Sequence, residues 1–72
     1  MQFSERLVFL RKERHLTQKQ LAIELKLSEL AIQNYESRRR KPAFDVLISL
    51  ADYFGVSLDY LTGRTDKPEI NR

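Results

Sequence analysis

The strongest concentration of charge in this 72-residue sequence is a run of four consecutive cations, Arg38, Arg39, Arg40 and Lys41. This run exceeds the formal net charge of the whole chain, which is +3. Guanidinium and ammonium groups bind phosphate oxygens, and the amides of Gln33 and Asn34, shortly before the run, can form hydrogen bonds with nucleobase edges. These residue types in this order favour a polyanionic partner, although a basic run alone is as typical of a solvated surface.

Other kinds of chemistry find little support in the composition. The chain has no cysteine and one histidine, so neither a disulfide framework nor a Cys/His zinc site is expected. No Ser/His/Asp set and no glycine-rich phosphate loop is present, which argues against an enzyme and against a metal or cofactor. No apolar run approaches the length of about 18 residues that spans a bilayer, and Glu5 and Arg6 lie where a signal peptide would be apolar. A cytoplasmic protein without a membrane partner is therefore predicted.

The elements that must position the polar residues are helices. Two glycines, two prolines and the absence of a hairpin signal indicate an all-α domain. Near the N-terminus, apolar residues recur at helical spacing at Phe3, Leu7 and Leu10. They predict a first helix over residues 3 to 14 with Ser4 as its N-cap. Val8 and Phe9 fall outside this stripe and are expected to be partly exposed.

Two cap signals define a pair of helices in the middle of the chain. Thr17 is followed three residues later by Gln20, the spacing of a capping box, and Ser28 is a second N-cap candidate. The inner positions of the two helices are apolar or small: Leu21, Ala22, Leu25, Ala31, Ile32 and Tyr35. A small residue at the crossing and a connection of about three residues predict a helix-turn-helix over residues 18 to 37.

The C-terminal part predicts two further helices. The first follows Pro42, and its expected core residues are Phe44, Leu47, Leu50, Ala51 and Phe54. Gly55 ends it, and a short last helix follows Ser57 and stops at Gly63. Residues 1–64 are thus predicted to form one five-helix domain, and residues 65–72 a flexible tail.

The chain resembles the lambda-repressor-like (Cro/cI, or Xre) family of bacterial and phage transcription regulators over about residues 3 to 64. The resemblance is carried by Thr17-Gln18, Leu21-Ala22, Ser28, Ile32, Tyr35-Glu36, Pro42 and the closing segment LADYFGVSLDYLTG. It implies a compact all-α, five-helix DNA-binding domain whose recognition helix, about residues 28–36, enters the major groove. The function it implies is sequence-specific binding of double-stranded DNA by a transcriptional repressor.

The same resemblance implies which side chains face the bases. They are Glu29, Leu30 and Asn34, with Gln33 beside them. Asn34 can bond adenine N6 and N7, Glu29 can accept from cytosine N4, and Leu30 can pack on a thymine methyl group. Because phosphates repel a carboxylate, Glu29 can instead interact with the helix N-terminus.

Phosphate contacts are expected on both sides of the recognition helix. The resemblance implies Gln18 and Ser28 at the start of the two helices. Five further residues follow the recognition helix directly, and this position predicts that they contact the flanking phosphates. They are called the basic loop and are Ser37, Arg38, Arg39, Arg40 and Lys41. Arg11 and Glu36 align with a structural ion pair that ties the first helix to the end of the recognition helix.

Three positions depart from the family pattern. Lys26 and Arg38 stand where glycine is usual, so the turn is expected to be slightly reshaped and the recognition helix to end differently. Ala43 replaces the usual serine or threonine cap of the fourth helix. These departures concern local geometry and leave the predicted fold unchanged.

A homodimer on a palindromic operator is expected, since one recognition helix reads only about four or five base pairs. Family members often pair around the last helix, which suggests an interface at Val56, Leu58, Tyr60 and Leu61, with Val8 and Phe9 as a second candidate.

No small-molecule ligand is evident. An interaction module that has lost DNA binding is the alternative function. Phage repressor, restriction controller, antitoxin and chromosomal regulator all remain open, as does the possibility of an excised domain.

Overall fold

Five α-helices form the regular structure of residues 1–69, the part of the chain that the computed structural model describes. They are α1 (Phe3–Glu13), α2 (Gln18–Leu25), α3 (Glu29–Glu36), α4 (Phe44–Phe54) and α5 (Leu58–Leu61). This architecture confirms the predicted all-α fold. Helix α2 packs against α3 and α4, and α1 packs against α3 and α5. None of the described helices has the length and apolar character needed to cross a membrane.

Side-chain caps begin α2, α3 and α5 where the sequence indicates them. In the capping box of α2, Gln20 N–H donates to Thr17 Oγ1 at 3.0 Å and Thr17 N–H donates to Gln20 Oε1 at 2.8 Å. Ser28 Oγ and Ser57 Oγ each accept a backbone N–H at 3.0 Å. The prediction for α1 is wrong: its N-cap is Gln2, and Ser4 lies buried within the first turn.

All five described helices end in the same way, with one residue in the left-handed region. These residues are His15, Lys26, Arg38, Gly55 and Gly63, with φ between 56° and 83°. The N–H of the next residue then donates to a carbonyl five positions earlier, as in Leu27 to Ala22 at 2.8 Å and Arg39 to Asn34 at 2.9 Å. This 6→1 bond is the mark of a Schellman ending. Lys26 thus adopts the backbone conformation usual for glycine, and the turn is not reshaped.

The core lies where α1, α2, α3, α4 and α5 meet. Its buried apolar residues are Leu7, Leu10, Leu21, Ala22, Ile32, Tyr35, Leu50, Ala51, Phe54, Val56, Tyr60 and Leu61. Phe44, predicted to be a core residue, is instead 71% exposed. The prediction fails because the first turn of α4 extends beyond the core, as the exposure of Ala43 and Asp45 also shows. Leu47, one turn later, is half-buried.

The segment after α5 contacts the domain through a buried arginine. Arg6 is 4% exposed, and its guanidinium lies 3.8 Å from the centroid of the Tyr60 ring. Its Nη2 lies 3.3 Å from Asp66 Oδ1, and Pro68 O accepts the N–H of Ser57 at 3.1 Å. Residues 65–68, predicted as part of a flexible tail, are therefore in contact with the domain. Residues 70–72 of the predicted tail lie outside the described part of the chain.

Candidate nucleic-acid interface

Helix α3 presents one face to the core and the opposite face to solvent. Ile32 is completely buried and Tyr35 is 9% exposed, so these two residues fix the helix against its neighbours. The predicted base-reading residues lie on the other side: Glu29, Leu30 and Gln33 are exposed, and Asn34 is half-buried. Leu30 is 61% exposed and lies on this solvent-facing side of the helix.

The N-terminus of α3 has the properties of a weak anion site. Ser28 is exposed, and its hydroxyl accepts the Ala31 N–H at 3.0 Å while its own hydrogen remains available for donation. The positive end of the helix dipole lies at the same place. Glu29, in the first turn, also favours that dipole, which gives its carboxylate a structural role independent of any base.

Arg11 and Glu36, predicted as an ion pair, lie in direct contact. Arg11 Nε and Nη2 donate to the two carboxylate oxygens at 2.7 and 3.0 Å, and Nη1 donates to Leu16 O at 2.8 Å. The side chains of Arg11 and Glu36 are only 12% and 7% exposed. A bidentate pair with this little solvent fixes the end of α3 to the end of α1.

Gln18 is held by the same carboxylate. Its Nε2 donates to Glu36 Oε1 at 3.1 Å, which orients the amide at the start of α2. A side-chain amide has two N–H donors, so one is left for a phosphate oxygen. The ion pair therefore positions a predicted phosphate contact as well as the helix end.

Residues predicted separately for bases and for phosphates share one open groove. Its lining includes Gln18, Gln33, Asn34, Ser37 and Arg39, together with Val8 and Glu36. The groove joins the start of α2, the outer face of α3 and the basic loop. Such a surface offers amide donors and acceptors for base edges together with a guanidinium for a phosphate.

Within the basic loop, the side chain of Arg38 has a hydrogen-bond partner of its own. Arg39, Arg40 and Lys41 are exposed, and the N–H groups of Arg39 and Arg40 both point to Asn34 O, at 2.9 and 3.3 Å. Arg38 instead turns back to α1, where its Nε donates to Ser4 Oγ at 3.1 Å. Its Nη2 also lies 3.5 Å from Glu5 Oε1. Nothing in the sequence paired these residues, because they are more than thirty positions apart.

The predicted dimer surface around the last helix is corrected by the structure. Val56, Tyr60 and Leu61 are 7%, 8% and 0% exposed, so they belong to the core of the chain itself. Their spacing suits an apolar surface, but it suits the inner side of a short helix equally well. Leu58 is half-buried. At the second candidate surface, Phe9 is 41% exposed and Val8 is half-buried, as expected.

The chain is similar in sequence to known helix-turn-helix proteins. A family model described as helix-turn-helix matches residues 9–61. The chain is 39% identical over 67 residues to the uncharacterized HTH-type transcriptional regulator YobD of Bacillus subtilis, covering 93% of this chain and 60% of that protein. It is 38% identical over 64 residues to the cryptic phage CTXphi transcriptional repressor RstR of Vibrio cholerae, covering 89% and 57%.

A solved structure is also similar. The crystal structure of a transcriptional regulator from Listeria innocua superposes with a TM-score of 0.83 at 38% identity, covering 92% of this chain and 62% of that one. The chain therefore spans about 60% of the length of these three proteins.

Proposed function

The chain belongs to the helix-turn-helix family, and from this premise we propose that it binds double-stranded DNA sequence-specifically and represses transcription. The groove that joins Gln18, Asn34 and Arg39 carries this proposal. Transcriptional regulation is the activity named for the relatives at 38–39% identity, and one of them is named a repressor. A domain bound over a promoter would block access to it, which is how repression would follow from binding.

In the proposed complex, α3 lies in the major groove and its outer face reads the bases. Asn34 pairs with adenine, Leu30 packs on a thymine methyl group, and each good contact gives about 1–3 kcal/mol of discrimination. Gln33 lies beside Asn34 on the same groove and can serve a base or a phosphate. Glu29 accepts from cytosine or rejects sites where no donor faces it.

Phosphate contacts supply most of the affinity in this proposal. Gln18 and Ser28 lie at the starts of α2 and α3, while Arg39, Arg40 and Lys41 are exposed beyond the end of α3. Binding should weaken with salt by a log–log slope of about −0.9 for each phosphate neutralised. Ser37, which lines the groove, would contact the backbone beside Arg39.

We further propose that two copies bind one palindromic operator with half-sites about 34 Å apart, because one α3 reads too few bases for useful specificity. With Val56, Tyr60 and Leu61 buried in the core, the surface around Phe9 is the better candidate for pairing. A protein bound to bacterial DNA acts in the cytoplasm, so we place this one there.

Selection of bound sequences from a random duplex library tests the proposal. We expect retardation of duplex DNA at low salt, followed by enrichment of one two-fold symmetric site. A Gln33→Ala/Asn34→Ala double variant is the matched control, and it should still bind DNA in a salt-dependent way while enriching a more degenerate site, with preference lost at the base positions that these two residues read. Absence of any retardation for the unaltered protein would refute DNA binding and favour an interaction module on the same fold.

A further inference from the structure

Arg38 occupies the most unusual position in the basic loop. It directly follows the C-cap of α3, and its φ of 67° lies in the left-handed region that favours glycine. We propose that Arg38 is a positioning residue for α3, tying its C-terminal end to the first turn of α1, and that it is not one of the phosphate contacts. This inference rests on the proposed DNA binding and changes the role that the sequence predicts for Arg38.

The hydrogen bond between Arg38 and Ser4 carries the inference. Arg38 Nε donates to Ser4 Oγ at 3.1 Å, and Ser4 is only 6% exposed. A buried hydroxyl without a hydrogen-bond partner destabilises a folded protein, so this contact contributes to the stability of the domain whether or not DNA is bound. It also directs the guanidinium toward α1 and away from the groove that Arg39 lines.

The guanidinium of Arg38 has a carboxylate partner within the chain. Its Nη2 lies 3.5 Å from Glu5 Oε1, and the two side chains are 58% and 55% exposed. Among residues 1–69, this is the only ion pair formed by a cation of the basic loop. A cation already beside a carboxylate is expected to release fewer counterions from DNA than Arg39 or Arg40, which form no ion pair within residues 1–69.

The position of Arg38 in the backbone explains why this contact would matter for reading DNA. The residue sets the direction in which the chain leaves α3, while the N–H of Arg39 closes the helix on Asn34 O at 2.9 Å. Asn34 is a proposed base reader, so a shift of this helix end would move its side chain. Arg11 and Glu36 hold the same end of α3 to the far end of α1. Two arginine contacts with α1 thus fix the orientation of the recognition helix.

Salt-dependent binding of the enriched operator separates a positioning residue from a phosphate contact. Arg39→Ala should reduce the magnitude of the log–log slope by about 0.9. Arg38→Ala and Ser4→Ala should each weaken binding about tenfold, because α3 loses a contact that holds it in the binding orientation, while the slope stays close to that of the unaltered protein. The Ser4→Ala/Arg38→Ala double variant should bind no more weakly than Arg38→Ala, because both changes remove the same interaction.

Arg38→Gly provides the control for stability. Glycine adopts a positive φ without a steric cost, so Arg38→Gly should melt at a higher temperature than Arg38→Ala. It should still bind DNA as weakly as Arg38→Ala, because the contact with Ser4 is missing in both. Recovery of binding in Arg38→Gly would show that Arg38 acts only through stability, and a slope reduced as much as in Arg39→Ala would show a phosphate contact. Either result overturns the inference while DNA binding stands. If the unaltered protein bound no operator, the proposed function and this inference would both be refuted.

Discussion

Arg11 and Glu36 form a bidentate ion pair in which two guanidinium nitrogens lie 2.7 and 3.0 Å from the two carboxylate oxygens. Gln18 donates to the same carboxylate at 3.1 Å. One nearly buried cluster therefore joins α1, the start of α2 and the end of α3. The orientation of the candidate interface depends on it.

Removing one partner of this ion pair should destabilise the domain strongly. In Arg11→Met, the Glu36 carboxylate, whose side chain is 7% exposed in the unaltered protein, loses its cation, and we expect a loss of about 3 kcal/mol in the free energy of unfolding. Urea denaturation followed by circular dichroism measures this loss. The Arg11→Met/Glu36→Leu double variant is the control and should recover most of the stability, since no buried charge is left. A loss below about 1 kcal/mol in the single variant would mean that the pair is effectively solvated.

Lys26→Gly should stabilise the domain, because Lys26 has a φ of 57° that glycine adopts without a steric cost. The expected gain is about 1 kcal/mol, which raises the melting temperature by about 4–8 °C. Gly55→Ala is the matched opposite change: its φ is 68° and a Cβ there would meet nothing within 4 Å, so only the backbone cost of about 1 kcal/mol should appear. Equal melting temperatures for Lys26→Gly and the unaltered protein would contradict the strain attributed to Lys26.

Substitution of Phe44 should have little effect on stability despite its size. The side chain is 71% exposed, and Phe44→Ala should change the free energy of unfolding by less than about 0.5 kcal/mol. Leu50→Ala, on the same helix but fully buried, should cost about 2–5 kcal/mol. Thermal unfolding of both variants measures the contrast. Comparable losses would show that Phe44 is covered in the folded protein, as by a second copy of the chain.

Asn34→Ala and Arg39→Ala should alter DNA binding in different ways. Loss of the Asn34 amide should relax preference at one base position of each half-site, by about 1–3 kcal/mol, with little change in the salt slope. Loss of Arg39 should weaken binding to all sequences alike and flatten the slope. Competition binding with single-base operator variants at several salt concentrations distinguishes the two. Identical profiles would refute the division into base readers and phosphate contacts.

Local signals in the sequence were sufficient for the helices and for much of the candidate interface. Cap residues such as Thr17 and Ser28 act within one turn, so their effect on the backbone can be read from neighbouring residues. The outer face of α3 follows from helical periodicity once Ile32 and Tyr35 are assigned to the core. The resemblance to lambda-repressor-like regulators added the pairing of Arg11 with Glu36, which spacing alone does not indicate.

Predictions failed where a residue's surroundings come from distant parts of the chain. Phe44 has the periodicity of a core residue, but whether a neighbour covers it depends on where α4 lies in the domain. The apolar residues of α5 fit a dimer surface as well as a core, and packing against α1 and α4 placed Val56, Tyr60 and Leu61 inside.

The sequence by itself therefore determined the five helices, the caps of α2, α3 and α5, and the identity of the polar and basic residues around α3, because these depend on neighbours within a few positions. Only the tertiary structure decided how those residues are used. It turned Arg38 toward Ser4, placed Gln18 on Glu36, and brought Arg6 under Tyr60. Each of these contacts joins residues 18 or more positions apart, and only the packing of whole helices brings such residues into hydrogen-bond or van der Waals range.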